Sequence, residues 1–153
     1  MRLEEEIKQP FFRNELQKAN VNVIYTYYWL WDRIKAELKP YGITPQQFNV
    51  LRILRGQNGK PISTSDIRER MLDRMSDVSR IVERLHKQQL VIRKTCKSDK
   101  RLVDVLISQK GINLLSEIDG RQEFIDKSLS LSLDEAASLN QLLDKARGNE
   151  PNQ

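Results

Sequence analysis

Arg80 and Arg84 stand one helical turn apart in the stretch SDVSRIVERLHKQQL, residues 76–90, and Lys94, Lys97, Lys100 and Arg101 crowd the segment that follows. Cations at this density suit one kind of chemistry: they neutralise phosphates, and a guanidinium adds a planar fork that matches O6 and N7 of guanine. On a helical wheel Val78, Ile81, Val82 and Leu85 fall on one face at i, i+3, i+4 and i+7, and Ser76, Arg80, Glu83, Arg84 and Lys87 fall on the other. Such a helix has an apolar side to seat on a scaffold and a polar side to enter a major groove, its N-terminal half meeting the base edges. The DNA-facing candidates are therefore Ser76, Asp77, Ser79, Arg80, Arg84 and Lys87. Arg80 is placed to read guanine, and Arg84 to read a base or hold a phosphate. A surface helix laced by Glu83–Lys87 and Arg80–Glu83 pairs has the same amphipathicity, so the neighbouring elements must decide.

The second cationic group lies on an expected hairpin. Residues 91–95 and 102–107 are β-prone, and 96–101 are polar and turn-like. This wing has little core of its own, and its Lys94, Lys97, Lys100 and Arg101 repel one another unless a polyanion lies alongside. An arginine at a loop tip suits the narrow minor groove of A·T tracts. Asp99, two residues earlier, can orient the Arg101 guanidinium through a charge-assisted hydrogen bond.

The elements that must position these groups are mostly helical. A long first helix is expected over 12–39, with Ile24, Tyr27, Tyr28, Trp31, Ile34 and Leu38 as its apolar stripe and Val23, Tyr25, Trp29 and Leu30 adding apolar surface around it. A helix apolar on several sides must be covered on several sides, and a second copy of the chain is the natural cover. Pro40 and Gly42 end it. Thr44, Pro45 and Gln47 then read as a capping box with proline at the first helical position, flanked by an Ile43–Phe48 staple. Ser63 with Asp66 opens a short helix to about Leu72, Asp73-Arg74-Met75 makes a tight turn, and Ser76 is expected to cap the next helix. Two short helices about such a turn make a helix-turn-helix. After the wing, one helix starts near Ser108 and carries Ile112, Leu115, Ile118, Phe124 and Ile125, and another starts at Ser132 with Glu135 completing its capping box. The fold class is mainly α with a small β-hairpin wing. Residues 1–153 are read as a single domain, with 44–107 as the DNA-binding lobe and 12–39 and 108–147 as dimerisation helices.

Charge placement agrees. The formal net charge is +5, and residues 60–104 hold 12 Lys/Arg against 7 Asp/Glu, which accounts for all of it. No run of about 18 apolar residues is present, so no membrane span is expected. The N-terminus lacks the apolar core of a signal peptide, so the chain is expected in the cytoplasm. One cysteine, Cys96, and one histidine, His86, leave no intrachain disulfide and no Cys/His zinc site. No Gly-rich phosphate loop, nucleophile elbow or metal cluster appears, so neither enzymatic activity nor a cofactor is expected.

SDVSRIVERL (76–85), Leu90-Val91-Ile92-Arg93, Ser98-Asp99-Lys100-Arg101 and SQKG (108–111) together resemble the MarR family of winged helix-turn-helix regulators. The Asp-x-Arg step at Asp99 and Arg101 is the most specific mark, and the likeness covers about residues 12–147. It implies dimers whose N- and C-terminal helices interlock and whose two lobes bind a pseudo-palindromic duplex, Arg80 and its neighbours in the major groove and Arg101 in the minor. It implies a transcriptional regulator, commonly a repressor released by a small aromatic or anionic effector, and in some members by cysteine oxidation, for which Cys96 at the wing is poorly placed. Tyr25, Tyr27, Tyr28, Trp29 and Trp31 serve core and dimer packing, or in part line an effector pocket. Gln89 departs from the pattern, since many relatives have glycine there. A winged helix used only for protein interaction or dimerisation is the competing reading.

Overall fold

The computed structural model describes residues 2–95, 103–120 and 129–148. They fall into two compact units, one within residues 1–121 and one within 122–153. The first holds α1 (Leu3–Glu6), α2 (Glu15–Leu38), a 3-10 turn (Lys39–Tyr41), α3 (Pro45–Arg55), β1 (Ile62–Ser63), α4 (Thr64–Arg70), α5 (Val78–Lys87), β2 (Val91–Thr95), β3 (Val103–Ile107) and α6 (Gln109–Asp119). The second holds α7 (Leu133–Ala146).

The long helix begins at Glu15, three residues later than expected. Asn14 is extended there, and its side chain accepts the Gln17 N–H at 2.9 Å, a cap that the residues before it cannot supply. The four-residue α1 gave no periodic signal. Its Leu3 is buried, Glu4 pairs with Lys18 at 2.6 Å, and Glu6 accepts the Tyr25 hydroxyl at 2.9 Å. The far end of α2 runs into the 3-10 turn and stops at Gly42, whose φ of 67° is left-handed.

The start of α3 follows the expectation. Gln47 N–H donates to Thr44 Oγ1 and Gln47 Oε1 accepts Thr44 N–H, Pro45 is the first helical residue, and Ile43 and Phe48 are buried. Ser63 and Asp66 cap α4 reciprocally. That helix ends at Arg70 because Met71 turns extended and buries its side chain, which leaves Leu72 outside.

The start of α5 is a correction. Ser76 does not cap it, because its hydroxyl donates to Asp73 Oδ2 at 2.7 Å within the turn. Asp77 is the cap and accepts the Arg80 N–H at 3.1 Å, so the helix begins at Val78. Its end also comes early, at Lys87. Leu90 N–H donates to Leu85 C=O and Gln89 N–H to His86 C=O, both at 2.9 Å, with Gln89 at φ 63°. This is the bond pattern of a Schellman stop, whose left-handed position suits glycine. The departure noted at Gln89 therefore has a conformational meaning, and this chain accepts a strained φ there.

The expected hairpin is the larger part of a three-stranded antiparallel sheet, ordered β1-β3-β2. Ile62 pairs with Val105 on one side of β3, and Arg93 with Val105 on the other. Nor is the base of the wing coreless: Val91, Val105 and Ile107 are buried with Leu51, Ile67 and Leu85 in one cluster. Its tip, including Cys96, Lys97, Asp99, Lys100 and Arg101, lies outside the described residues.

Ser108 caps α6 through the Gly111 N–H at 3.0 Å. A Cβ on Gly111 would stand 2.3 Å from the Leu90 carbonyl oxygen, so the helix passes the residues just beyond the end of α5 at a distance only glycine permits. Leu115 and Ile118 are buried, Ile112 is half-buried, and Phe124 and Ile125 lie outside the described residues. In the second unit, Ser132 and Glu135 form the expected capping box on α7, where Leu133 and Leu142 are exposed. Among the described residues no helix is long and apolar enough to cross a membrane.

Candidate nucleic-acid interface

Helix α5 is seated by apolar contacts and presents what remains. Val78, Val82 and Leu85 are buried, Ile81 is half-buried, and Asp77, Ser79, Arg80, Glu83, Arg84 and Lys87 are exposed. Asp77 does two jobs. One carboxylate oxygen caps the helix and the other lies 3.2 Å from Arg80 Nε. A guanidinium engaged at Nε keeps its terminal amino groups for a second acceptor pair, the geometry that guanine requires.

Glu83 pairs with Lys87 at 3.0 Å. The Lys87 hydrogen bond holds its carboxyl below the usual glutamate value, helped by the charges of Arg93 and Arg80. Strand alternation puts Arg93 on the face of its partner Val105, which is buried in the core that α5 packs on, and Lys94 on the other face opposite Asp104. Arg93 was not among the sequence-derived candidates. The signal was available in the alternation of VIRKT, read against a buried Val91.

The structure brings Ser76, Asp77, Arg80 and Arg84 together on one shallow cleft of about 250 Å³, and adds Thr44, Gln46 and Gln47 from the start of α3. The sequence marks Thr44 and Gln47 only as helix-start residues and does not single out Gln46. Their place beside the reading helix depends on the packing of α3 against α5, which periodicity does not encode. Helix α3 turns its positive dipole end to this same side, which favours an anion there. Lys94 is exposed, and the four tip residues expected to act with it fall outside the described residues. His86 is exposed on α5, its Nδ1 3.2 Å from the Val91 carbonyl oxygen.

A second cleft, about 650 Å³, lies where the end of α2 meets the start of α3, with Trp31, Lys35, Lys39, Ile43 and Pro45 in its lining. Of the five clustered aromatics only Trp31 reaches it. Tyr27 stacks edge-on to Tyr28, with centroids 5.2 Å apart, and lies 5.8 Å from Trp31, while Arg33 sits over the Trp29 ring at 4.8 Å.

Residues 41–102 match the model of the MarR family. The transcriptional regulator MhqR of Bacillus subtilis (strain 168) is 29% identical over 110 residues, spanning 71% of this chain and 74% of MhqR. Among solved structures, the organohalide-sensing regulator RdhR in its 2,4-dichlorophenol-bound form superposes with a TM-score of 0.77 at 22% identity, covering 88% of this chain and 80% of RdhR. The Staphylococcus aureus MepR–DNA complex gives 0.73 at 20% identity, covering 84% and 96%. These two structural likenesses show the fold.

Proposed function

We propose that the chain is a winged helix-turn-helix transcriptional regulator of the MarR type, a dimeric, sequence-specific DNA-binding repressor tuned by a small ligand, and not an enzyme. One observation carries the reading: α5 buries Val78, Val82 and Leu85 and turns Arg80 and Arg84 outward, with Arg93 exposed on β2 and the N-terminus of α3 on the same cleft. In this reading Ser76, Asp77, Ser79, Arg80 and Arg84 meet the major groove and Lys87 lies toward the phosphates. Lys94, Lys97 and Lys100 hold backbone phosphates, and Arg101, steadied by Asp99, enters the minor groove. Residues 12–39 and 108–147 are the dimerisation helices. The cleft at Trp31 offers an aromatic wall with Lys35 and Lys39 nearby, which suits an aromatic anion; RdhR, a relative in fold, is described with 2,4-dichlorophenol bound.

The test is a selection of bound duplexes from a random-sequence pool, followed by a salt titration. A reader of DNA enriches one pseudo-palindrome, and log K falls with log salt by about 0.9 per phosphate neutralised. If enriched and random duplexes bind alike at moderate salt, the chain is an interaction or dimerisation module instead.

A further inference from the structure

Gln47 is the buried polar residue of the described core, 5% exposed. Its side-chain amide is used at both ends. Oε1 accepts the Thr44 N–H at 2.9 Å, and Nε2 donates to Gln88 Oε1 at 3.1 Å. Gln88 Nε2 donates in turn to the Gly42 carbonyl at 3.1 Å. The order admits one polarity. Gly42 C=O needs a donor, so Gln88 turns Nε2 to it and Oε1 to Gln47; Thr44 N–H needs an acceptor, so Gln47 turns Oε1 to it and Nε2 to Gln88.

Around this chain the end of α5 is tied a second time. Lys110 Nζ donates to the Gln88 carbonyl at 2.9 Å, Ser108 Oγ to the Gln89 carbonyl at 2.7 Å, and Ser108 N–H to the Leu90 carbonyl at 3.1 Å. The apolar contacts of Val78, Val82 and Leu85 decide which face of α5 points inward but are non-directional in detail. The amide chain is directional. It ties Gln88, one turn beyond Arg84 and two beyond Arg80, to the α2–α3 corner. The cleft at that corner is lined by Gly42 and Thr44, which are the two ends of the chain.

We propose that the Gln47–Gln88 amide pair is a positioning element for DNA reading: it sets the rotation at which α5 presents Arg80 and Arg84 to the groove. The proposal rests on the DNA-binding function above. Neither glutamine touches DNA in this account. For the Gln47–Gln88 bond itself an apolar pair would serve folding nearly as well, because replacing both members of a buried hydrogen bond by apolar groups can be nearly neutral, whereas Thr44 N–H and Gly42 C=O lose their side-chain partners.

The experiment uses the full chain, with a duplex enriched by the wild-type protein from a random-sequence pool and an unenriched duplex as the comparison. Gln47→Glu keeps the acceptor for Thr44 and sets an oxygen against Gln88 Oε1. Gln88→Leu removes both side-chain bonds. Gln47→Leu with Gln88→Leu replaces the amide pair by an apolar contact. Each should lower the enriched-over-unenriched affinity ratio by about three- to thirtyfold, inside the span of coupling found within one hydrogen-bonded network. The ratio is insensitive to a partly unfolded fraction, since both affinities scale with it. The double variant should regain melting temperature relative to Gln47→Leu alone without regaining the ratio. Ratios close to wild type in all variants, or a ratio that recovers in step with melting temperature, overturn the proposal while leaving DNA binding intact. If the wild-type protein enriches no duplex, the DNA-reading function fails and the positioning role fails with it.

Discussion

Helices α5 and α2 are both rich in apolar residues and end in opposite conditions. In α5 the apolar face is covered by α3, α4 and the sheet, and Val78, Val82 and Leu85 are at most 1% exposed. In α2 only Leu38 of 24 residues is buried, while Leu16, Val23, Ile24, Tyr27 and Tyr28 are each more than half exposed. Covering a large apolar side chain is worth roughly 1.5–3 kcal/mol. Within its own unit the lobe closes its core and the long helix does not. In the proposed dimer a second copy would cover that face with the same apolar character.

Four substitutions bear on that contrast. The largest effect belongs to the lobe. Leu51→Ala, at a fully buried site, should cost about 2–5 kcal/mol in chemical denaturation. A loss well under 1 kcal/mol would show that the lobe core is not closed. Next, Ile24→Asp on the open face of α2 should leave the lobe folded and shift light-scattering mass from a dimer toward the 18.0 kDa chain; an unchanged mass would place the interface elsewhere. Gln89→Gly relieves a left-handed φ of 63° and should stabilise the lobe by about 0.5–1 kcal/mol, read as a raised melting temperature. The smallest effect is at Asp66, whose carboxyl is held below its ordinary value first by the Ser63 hydroxyl and then by the Ser63 N–H. A depressed folded value means the contribution is present above the unfolded pKa and fades as pH falls through the folded one. Asp66→Asn should therefore lower stability at neutral and alkaline pH and flatten the acid side of the profile, the difference from wild type vanishing as pH falls through the folded value.

Most of the lobe was legible from local chemistry. The boxes at Thr44–Gln47 and Ser132–Glu135, the cap at Ser63 with Asp66 in the first turn and the helix start near Ser108 are short-range devices, and the structure shows each of them. So was the apolar face of α5. What escaped was non-local. The two-residue β1 is a strand only because β3 lies beside it. Ser76 lost its capping role to a competing acceptor, Asp73, three residues away. Arg93, Thr44 and Gln46 joined the candidate interface through packing between elements that sequence spacing does not relate.

The central claim is that Arg80 reads a base. It is tested most directly by replacing each guanine of the enriched duplex in turn with 7-deazaguanine, which lacks N7, and measuring affinity with wild type and Arg80→Ala. One position should weaken wild-type binding by about 1–3 kcal/mol and leave Arg80→Ala unaffected. Equal losses in both proteins at every guanine would contradict the account.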